Sequence, residues 1–272
     1  MVADQDDDIE RKLAALGDQL RRLGTIVVAF SGGVDSSLVA AVAHRTLGPE
    51  RARAVTAVSP SLAGAEEAEC RSLAAEWGMS WSSVETFEME RAAYRRNDAD
   101  RCFHCKAELM DVVAPIAAAH DATIVLGVNV DDLGDHRPGQ RAAIEAGAVF
   151  PLVEAGFTKD DVRRASRHLG LRTWDKPAAA CLASRLPYGT EVTVGILGRV
   201  ERAEAALHRL GIRQCRVRHY GDTARIEVDV DALTDLVRNR ETVVAAVRAC
   251  GYRYVTLDLE GFRSGNLNQA LG

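Results

Sequence analysis

The sequence predicts an α/β fold, a parallel sheet covered by helices, with a smaller C-terminal α+β domain. Three observations carry this. The segment Thr25-Ile26-Val27-Val28-Ala29-Phe30 reads as a buried strand and runs straight into a glycine pair and a helix. Strand-like and helix-like stretches then alternate to residue 128. Beyond residue 196 the pattern becomes helix, hairpin, helix and strand.

In chain order, a charged helix is expected over 9–23 and the first strand over 25–30. A helix over 38–47 ends at Gly48 and Pro49, one residue that accepts positive φ and one that cannot continue a helix. Strand 53–59, helix 65–77, strand 81–87, helix 109–119 and strand 123–128 follow. Thr158 with Asp161 three residues on forms a capping box, opening a helix that runs to Leu169 and closes at Gly170. The stretch 173–193, with Pro177, Pro187 and Gly189, is irregular and reads as a functional loop or an interdomain connection. A helix over 196–210 stops at Gly211, strands 214–220 and 223–229 meet at Gly221-Asp222, and helix 232–250 and strand 254–259 close the chain. The expected domains are 1–188 and 189–272.

The 272 residues carry a net charge of -5, which argues against a broadly basic surface that wraps nucleic acid. No stretch has the apolar length of a membrane span, and the first ten residues are acidic rather than a basic-then-apolar signal, so a cytoplasmic protein is expected. Six cysteines in a reducing compartment direct attention to metal or sulfur chemistry rather than to disulfides.

A phosphate close to a backbone needs glycines that permit approach, free N–H groups at a helix start and short hydroxyl side chains. Ser31, Gly32, Gly33, Ser36 and Ser37 supply all three, and Asp35 is placed to hold a divalent cation such as Mg2+ against the phosphates. The loop lacks the lysine of a Walker A motif. The plainer alternative is a glycine turn with no ligand.

Cys102 and Cys105 form a Cys-Phe-His-Cys motif, with Lys106 opening the next helix. Cys181 lies in the irregular stretch, where a thiol is accessible; Cys70, Cys215 and Cys250 read as structural. Three cysteines make a poor zinc site unless His104 joins, whereas three thiolates on an iron-sulfur cubane leave one iron open. A reduced pair with an unrelated third cysteine is the alternative. Arg216 and Arg218 share one face of their strand, suited to a phosphate. Spacing alone favours a solvated edge. Asp131, Asp132 and Asp135 follow a strand end where ligands bind, or form a polar turn; Glu204, Glu227 and Asp235 read as surface acids, and His104 and His136 as surface histidines.

The motif 31–37 resembles the PP-loop ATP pyrophosphatases, an adenine nucleotide α-hydrolase-like superfamily, which implies ATP and attack at its α-phosphate. Over almost the whole length the chain resembles the LarE family, through 31–37, 102–106, 127–132, 135–139, 176–185 with 187–189, 224–227, 254–258 and 261–265. The resemblance implies a sulfur transferase that adenylylates a carboxylate of pyridinium-3,5-dicarboxylate mononucleotide and replaces oxygen by sulfur, on the way to the nickel-pincer nucleotide of lactate racemase. In one branch a lone cysteine matching Cys181 gives up its own sulfur. In the other, cysteines matching Cys102, Cys105 and Cys181 hold a 4Fe-4S cluster with a transferable sulfide, and this chain has all three. The resemblance further places the substrate phosphate on Arg216 and Arg218, with Arg263 as an addition. It sets Ser184 and Arg185 beside the acyl adenylate and a divalent ion near Glu204, Glu227 and Asp235. A homo-oligomer is implied; no nucleic acid or membrane partner is. Rival readings are a tRNA-thiolating PP-loop enzyme, disfavoured by the acidic balance, and a non-catalytic ATP-binding domain. A glutamine-dependent amidotransferase lacks its glutaminase domain here.

Overall fold

Strands β1 (Ile26–Ala29), β2 (Ala52–Val58), β3 (Ser80–Glu85) and β4 (Thr123–Leu126) form a parallel sheet in the order β3-β2-β1-β4. The computed structural model describes residues 2–134, 138–177, 180–263 and 266. Asp135 and His136, and the motif positions 178–179 and 264–265, lie outside the described residues. Two compact units interleave along the chain. The first comprises 1–59, 64–88 and 102–179; the second comprises 60–63, 89–101 and 180–272.

In the first unit, helices α1 (Val2–Leu23), α2 (Val34–Leu47) and α3 (Gly64–Trp77) follow the expected alternation. Ile26 and Val28 of β1 face one apolar cluster with Leu16, Leu20 and Leu38, while Val27 faces another with Met110, Val113 and Ala117. Residues alternate between faces in a strand, so a continuous apolar run is what a sheet covered on both sides requires.

A short helix α4 (Ala92–Arg95) lies in the second unit, and α5 (Arg101–Ala119) begins eight residues before the expected apolar run. Apolar periodicity locates only the buried part of a helix; the polar first turns of α5 gave no such signal. The Cys-Phe-His-Cys motif is therefore helical, and Lys106 lies in the second turn rather than at its start. Helices α6 (Pro138–Glu145), α7 (Pro151–Glu154) and α8 (Lys159–His168) complete the first unit, and the Thr158–Asp161 capping box is present in both directions.

The second unit packs α9 (Val194–Arg209) on a sheet ordered β5-β6-β7, from β5 (Cys215–Tyr220), β6 (Thr223–Val228) and β7 (Tyr254–Leu257). The expected helix over 232–250 is two, α10 (Leu233–Arg238) and α11 (Arg240–Arg248). Asn239 separates them and donates its side-chain amide to the carbonyl of Asp235 at 2.9 Å, the local bonding that makes Asn a helix terminator. Cys215, Val217, Ala224, Ile226 and Val228 build the core with Leu207, Val243 and Val247.

His219 is buried on this core side, its Nδ1 3.2 Å from the hydroxyl of Tyr252. Burial, then the nearby Arg199, holds its pKa below the ordinary value. The neutral ring is thus the folded form. Its contribution is complete above the unfolded pKa of about 6.5 and is lost as pH falls from there toward the lower folded value. Urea midpoints measured from pH 8 to pH 5 are expected to fall more steeply for the native chain than for His219→Gln. Equal slopes would show that His219 is not the group responsible.

Candidate functional site

The phosphate loop leaves β1 and enters α2 at the point where the strand order reverses, with β2 on one side and β4 on the other. Loops at such a reversal part to open a crevice at the carboxyl ends of the strands. Gly33 precedes the first turn of α2 and contributes no side-chain cap, so the helix presents its leading N–H groups without a side-chain acceptor. Ser36 Oγ donates to the carbonyl of Gly33 at 3.2 Å and accepts from Ser31 N at the same distance. The hydroxyls of Ser31 and Ser36 are 3.1 Å apart. Ser37 Oγ is fully buried and has no hydrogen-bond partner among the described residues. Uncapped N–H groups with hydroxyls beside them fit a polyphosphate.

The segment after β4 packs against the start of α2. A Cβ on Gly127 would lie 2.5 Å from Ser36 N and 2.7 Å from the carbonyl carbon of Asp35, so only glycine admits this approach. Two residues on, buried Asn129 donates from Nδ2 to Asp35 Oδ1 at 2.8 Å, and its Oδ1 accepts from Asp132 N at 3.2 Å. Burial raises the pKa of Asp35; the Asn129 bond opposes this, and Asp132 adds to it. A divalent cation would offset that cost of a half-buried carboxylate, and the oxygen of Asp35 suits one.

In the second unit the residues around Cys181 form one network. Cys181 is half-buried and caps a short 3₁₀ helix, Leu182–Arg185. Arg185 is buried, and its guanidinium grips Glu204 with two bonds of 2.9 Å. It also donates to the carbonyls of Ala180 at 2.6 Å and Cys181 at 3.0 Å. Ser184 Oγ donates to the carbonyl of Cys181 at 2.7 Å. Glu204 in turn accepts from Val217 N at 2.9 Å.

Arg216 and Arg218 lie on the strand face opposite Cys215 and Val217, and both are buried rather than solvated. Arg218 donates to the carbonyl of Ser184 at 2.8 Å and to Glu227 at 2.7 Å. The guanidinium of Arg216 stacks on the ring of Phe262 at 5.1 Å. Burial first, then Arg185, lowers its pKa. Glu227 also accepts from Arg225 at 3.0 Å and Asn266 at 2.8 Å. Burial would raise its pKa, but the bonds from Arg218 and Asn266 hold it below the ordinary value.

The reading of Glu204 and Glu227 as surface acids is corrected: both are buried and held by guanidinium groups, partners that spacing along one strand or helix does not reveal. Asp235 is exposed and pairs with Arg238 at 3.2 Å. Among the described residues no group of three or more His, Cys, Asp or Glu side chains is placed to hold a metal ion. Cys102 is exposed and Cys105 half-buried, three residues apart on one face of α5 in the first unit; Cys181 belongs to the second. Cys70 and Cys215 are buried, Cys215 pushed up to about 12 by burial. Cys250 lies just past α11, its thiol on the carbonyl of Ala246 at 3.3 Å. Arg263 is ion-paired with Glu260.

Sequence reasoning passed over Asn97 and Arg101. Arg101 donates to Asn97 Oδ1 at 2.5 Å and to the carbonyl of Ala183 at 2.9 Å, while Asn97 holds the carbonyl of Pro187 at 2.8 Å. Leu182 N donates to the carbonyl of Ser61 at 2.8 Å. Asn97 stands at φ 58, in the left-handed region that Asn tolerates, and its partners are too distant in sequence to mark it there.

Residues 9–109 match the NAD synthase family. The chain is 46% identical over 267 residues to an uncharacterized protein of Synechocystis sp., covering 97% of this chain and 99% of that one. It is 38% identical over 261 residues to the pyridinium-3,5-bisthiocarboxylic acid mononucleotide synthase of Lactiplantibacillus plantarum, covering 96% of this chain and 95% of that enzyme. It is 24% identical over 251 residues to an uncharacterized protein of Methanocaldococcus jannaschii, covering 88% and 91%.

Glu204→Ala would strand the Arg185 guanidinium and the Val217 amide, a loss of about 3–5 kcal/mol for a broken buried pair. Asp235→Ala, at an exposed pair, is expected within about 0.5 kcal/mol of the unmodified chain. Chemical denaturation measures both, and equal effects would contradict the buried network.

Proposed function

Because the chain belongs to the LarE family, we propose that it is an ATP-dependent sulfur transferase that converts carboxylates of pyridinium-3,5-dicarboxylate mononucleotide to thiocarboxylates. The observation that carries the proposal is the start of α2 behind Ser31, Gly32 and Gly33, with no side-chain cap from Gly33 and with Asp35 held by Asn129 in the first turn. Ser31, Ser36 and Ser37 and the loop amides bind the phosphates of ATP, and Asp35 holds Mg2+.

In the first half of the reaction a substrate carboxylate oxygen attacks the α-phosphorus. The bond to the β-phosphate oxygen breaks, and pyrophosphate leaves with the electron pair. In the second half a sulfur nucleophile adds to the acyl carbon, and AMP leaves with the former carboxylate oxygen. Arg216 and Arg218 take the substrate phosphate; their support is two guanidinium groups on one strand face. Ser184 and Arg185 hold the backbone of Cys181, fixing where its thiol stands. Glu204 and Glu227 are committed to arginines and Asp235 to Arg238, a donor set that does not fit a divalent ion, so no step uses one there.

Cys102, Cys105 and Cys181 would hold a 4Fe-4S cluster, whose open iron supplies a transferable sulfide when bound. The support is the pair of thiols at one face of α5 and the accessible Cys181. A second route, with Cys181 as sacrificial donor, is favoured by its half-buried thiol at the head of the 3₁₀ helix.

The expected result with ATP, Mg2+ and the dicarboxylate nucleotide is release of pyrophosphate and AMP together with a thiocarboxylate product. Anaerobically reconstituted protein is expected to show an iron-sulfur absorption band that is lost in Cys102→Ala, Cys105→Ala and Cys181→Ala. Retention of the band in all three variants would show that these cysteines do not hold the cluster. One turnover per chain, with loss of the elements of hydrogen sulfide from Cys181 seen by mass spectrometry, would establish the sacrificial route.

A further inference from the structure

The phosphate loop carries no lysine of its own, yet one reaches it from 144 residues along the chain. Lys176 Nζ donates to the carbonyl of Gly32 at 3.1 Å and to Glu66 Oε2 at 2.7 Å. All three residues belong to the first unit. The side chain is only 17% exposed. A Cβ built on Gly32 would lie 3.7 Å from Nζ and 2.9 Å from Cys70 Sγ, so the ammonium is packed against the loop itself.

The backbone that carries Lys176 is fixed. Arg163 donates to the carbonyl of Trp174 at 3.0 Å and to that of Lys176 at 3.3 Å, and Lys176 N donates to the carbonyl of Thr173 at 3.1 Å. Glu66 stands in the first turn of α3. This ammonium lies on the carbonyl of Gly32, inside the loop read as phosphate-binding, and its present anion is a single side chain that a polyanion can displace.

We propose that Lys176 is a catalytic residue of the adenylylation step. It binds the β- and γ-phosphates, and Glu66 holds it in place until nucleotide competes for it. As the bond between the α-phosphorus and the β-phosphate oxygen breaks, the electron pair passes to that oxygen. The ammonium, keeping its proton, stabilises the added charge of the departing pyrophosphate. The inference rests on the ATP reading given above.

The test is calorimetric titration of the full chain and its variants with Mg2+ plus ATP, AMP or inorganic pyrophosphate. Lys176→Ala is expected to weaken ATP and pyrophosphate binding on the order of tenfold or more and to leave AMP binding unchanged. Lys176→Arg should restore most of the loss. Glu66→Gln removes the competitor and should tighten ATP binding severalfold; it carries the test even where Lys176→Ala does not fold. Equal weakening of ATP and AMP, or ATP binding insensitive to both positions, would overturn the proposal. An unmodified chain that binds neither nucleotide overturns the ATP reading itself, a failure visible before any variant is made.

Discussion

The space beside Gly127 is the constraint on which the phosphate site depends. Any side chain there would meet the amide of Ser36 at 2.5 Å and drive the start of α2 from the end of β4. With that approach intact, Asn129 comes within hydrogen-bond reach of Asp35, and the carboxylate is aimed before any ligand arrives. Aim of this kind lowers the reorganisation needed at the moment of reaction. Asp35 is half-buried there, and desolvation makes its negative charge costly without a counterion. Position and electrostatics thus follow from one absent methyl group.

The second unit solves a different problem, how to keep several charges out of water. Arg185, Glu204, Arg218 and Glu227 are all buried, and each is answered by more than one partner. Removing a single member leaves another group unpaired in a low-dielectric setting, which costs far more than the pair contributes against an apolar replacement. The links run through backbone carbonyls as well as side chains, so the turn holding Cys181 is set by the same arginines that Glu204 and Glu227 neutralise.

The α/β class was legible because a sheet covered on both faces writes continuous apolar strands into the chain, as Ile26, Val27 and Val28 show. The phosphate loop was legible for a similar reason, its glycines and hydroxyls being adjacent in sequence. Glu204 and Glu227 were not, because their arginine partners come from other elements: α9 meets the 3₁₀ turn at Arg185, and β6 meets β5 at Arg218. Nor was Lys176, whose partners stand 144 and 110 residues away. The helical setting of Cys102 and Cys105 was missed because half-exposed first turns have no apolar period to read.

The interleaving of the two units bears on how the chain is made. Segments 60–63 and 89–101 emerge early in synthesis, but they belong with residues from 180 onward. Asn97 waits for a carbonyl 89 residues away, and Arg101 for one 82 residues away. Closing such long loops before any contact rewards them is slow. The first unit also contains 102–179, so the last strand of its sheet, β4, is synthesised after both early segments. No single cut of the chain therefore divides the protein into its two units.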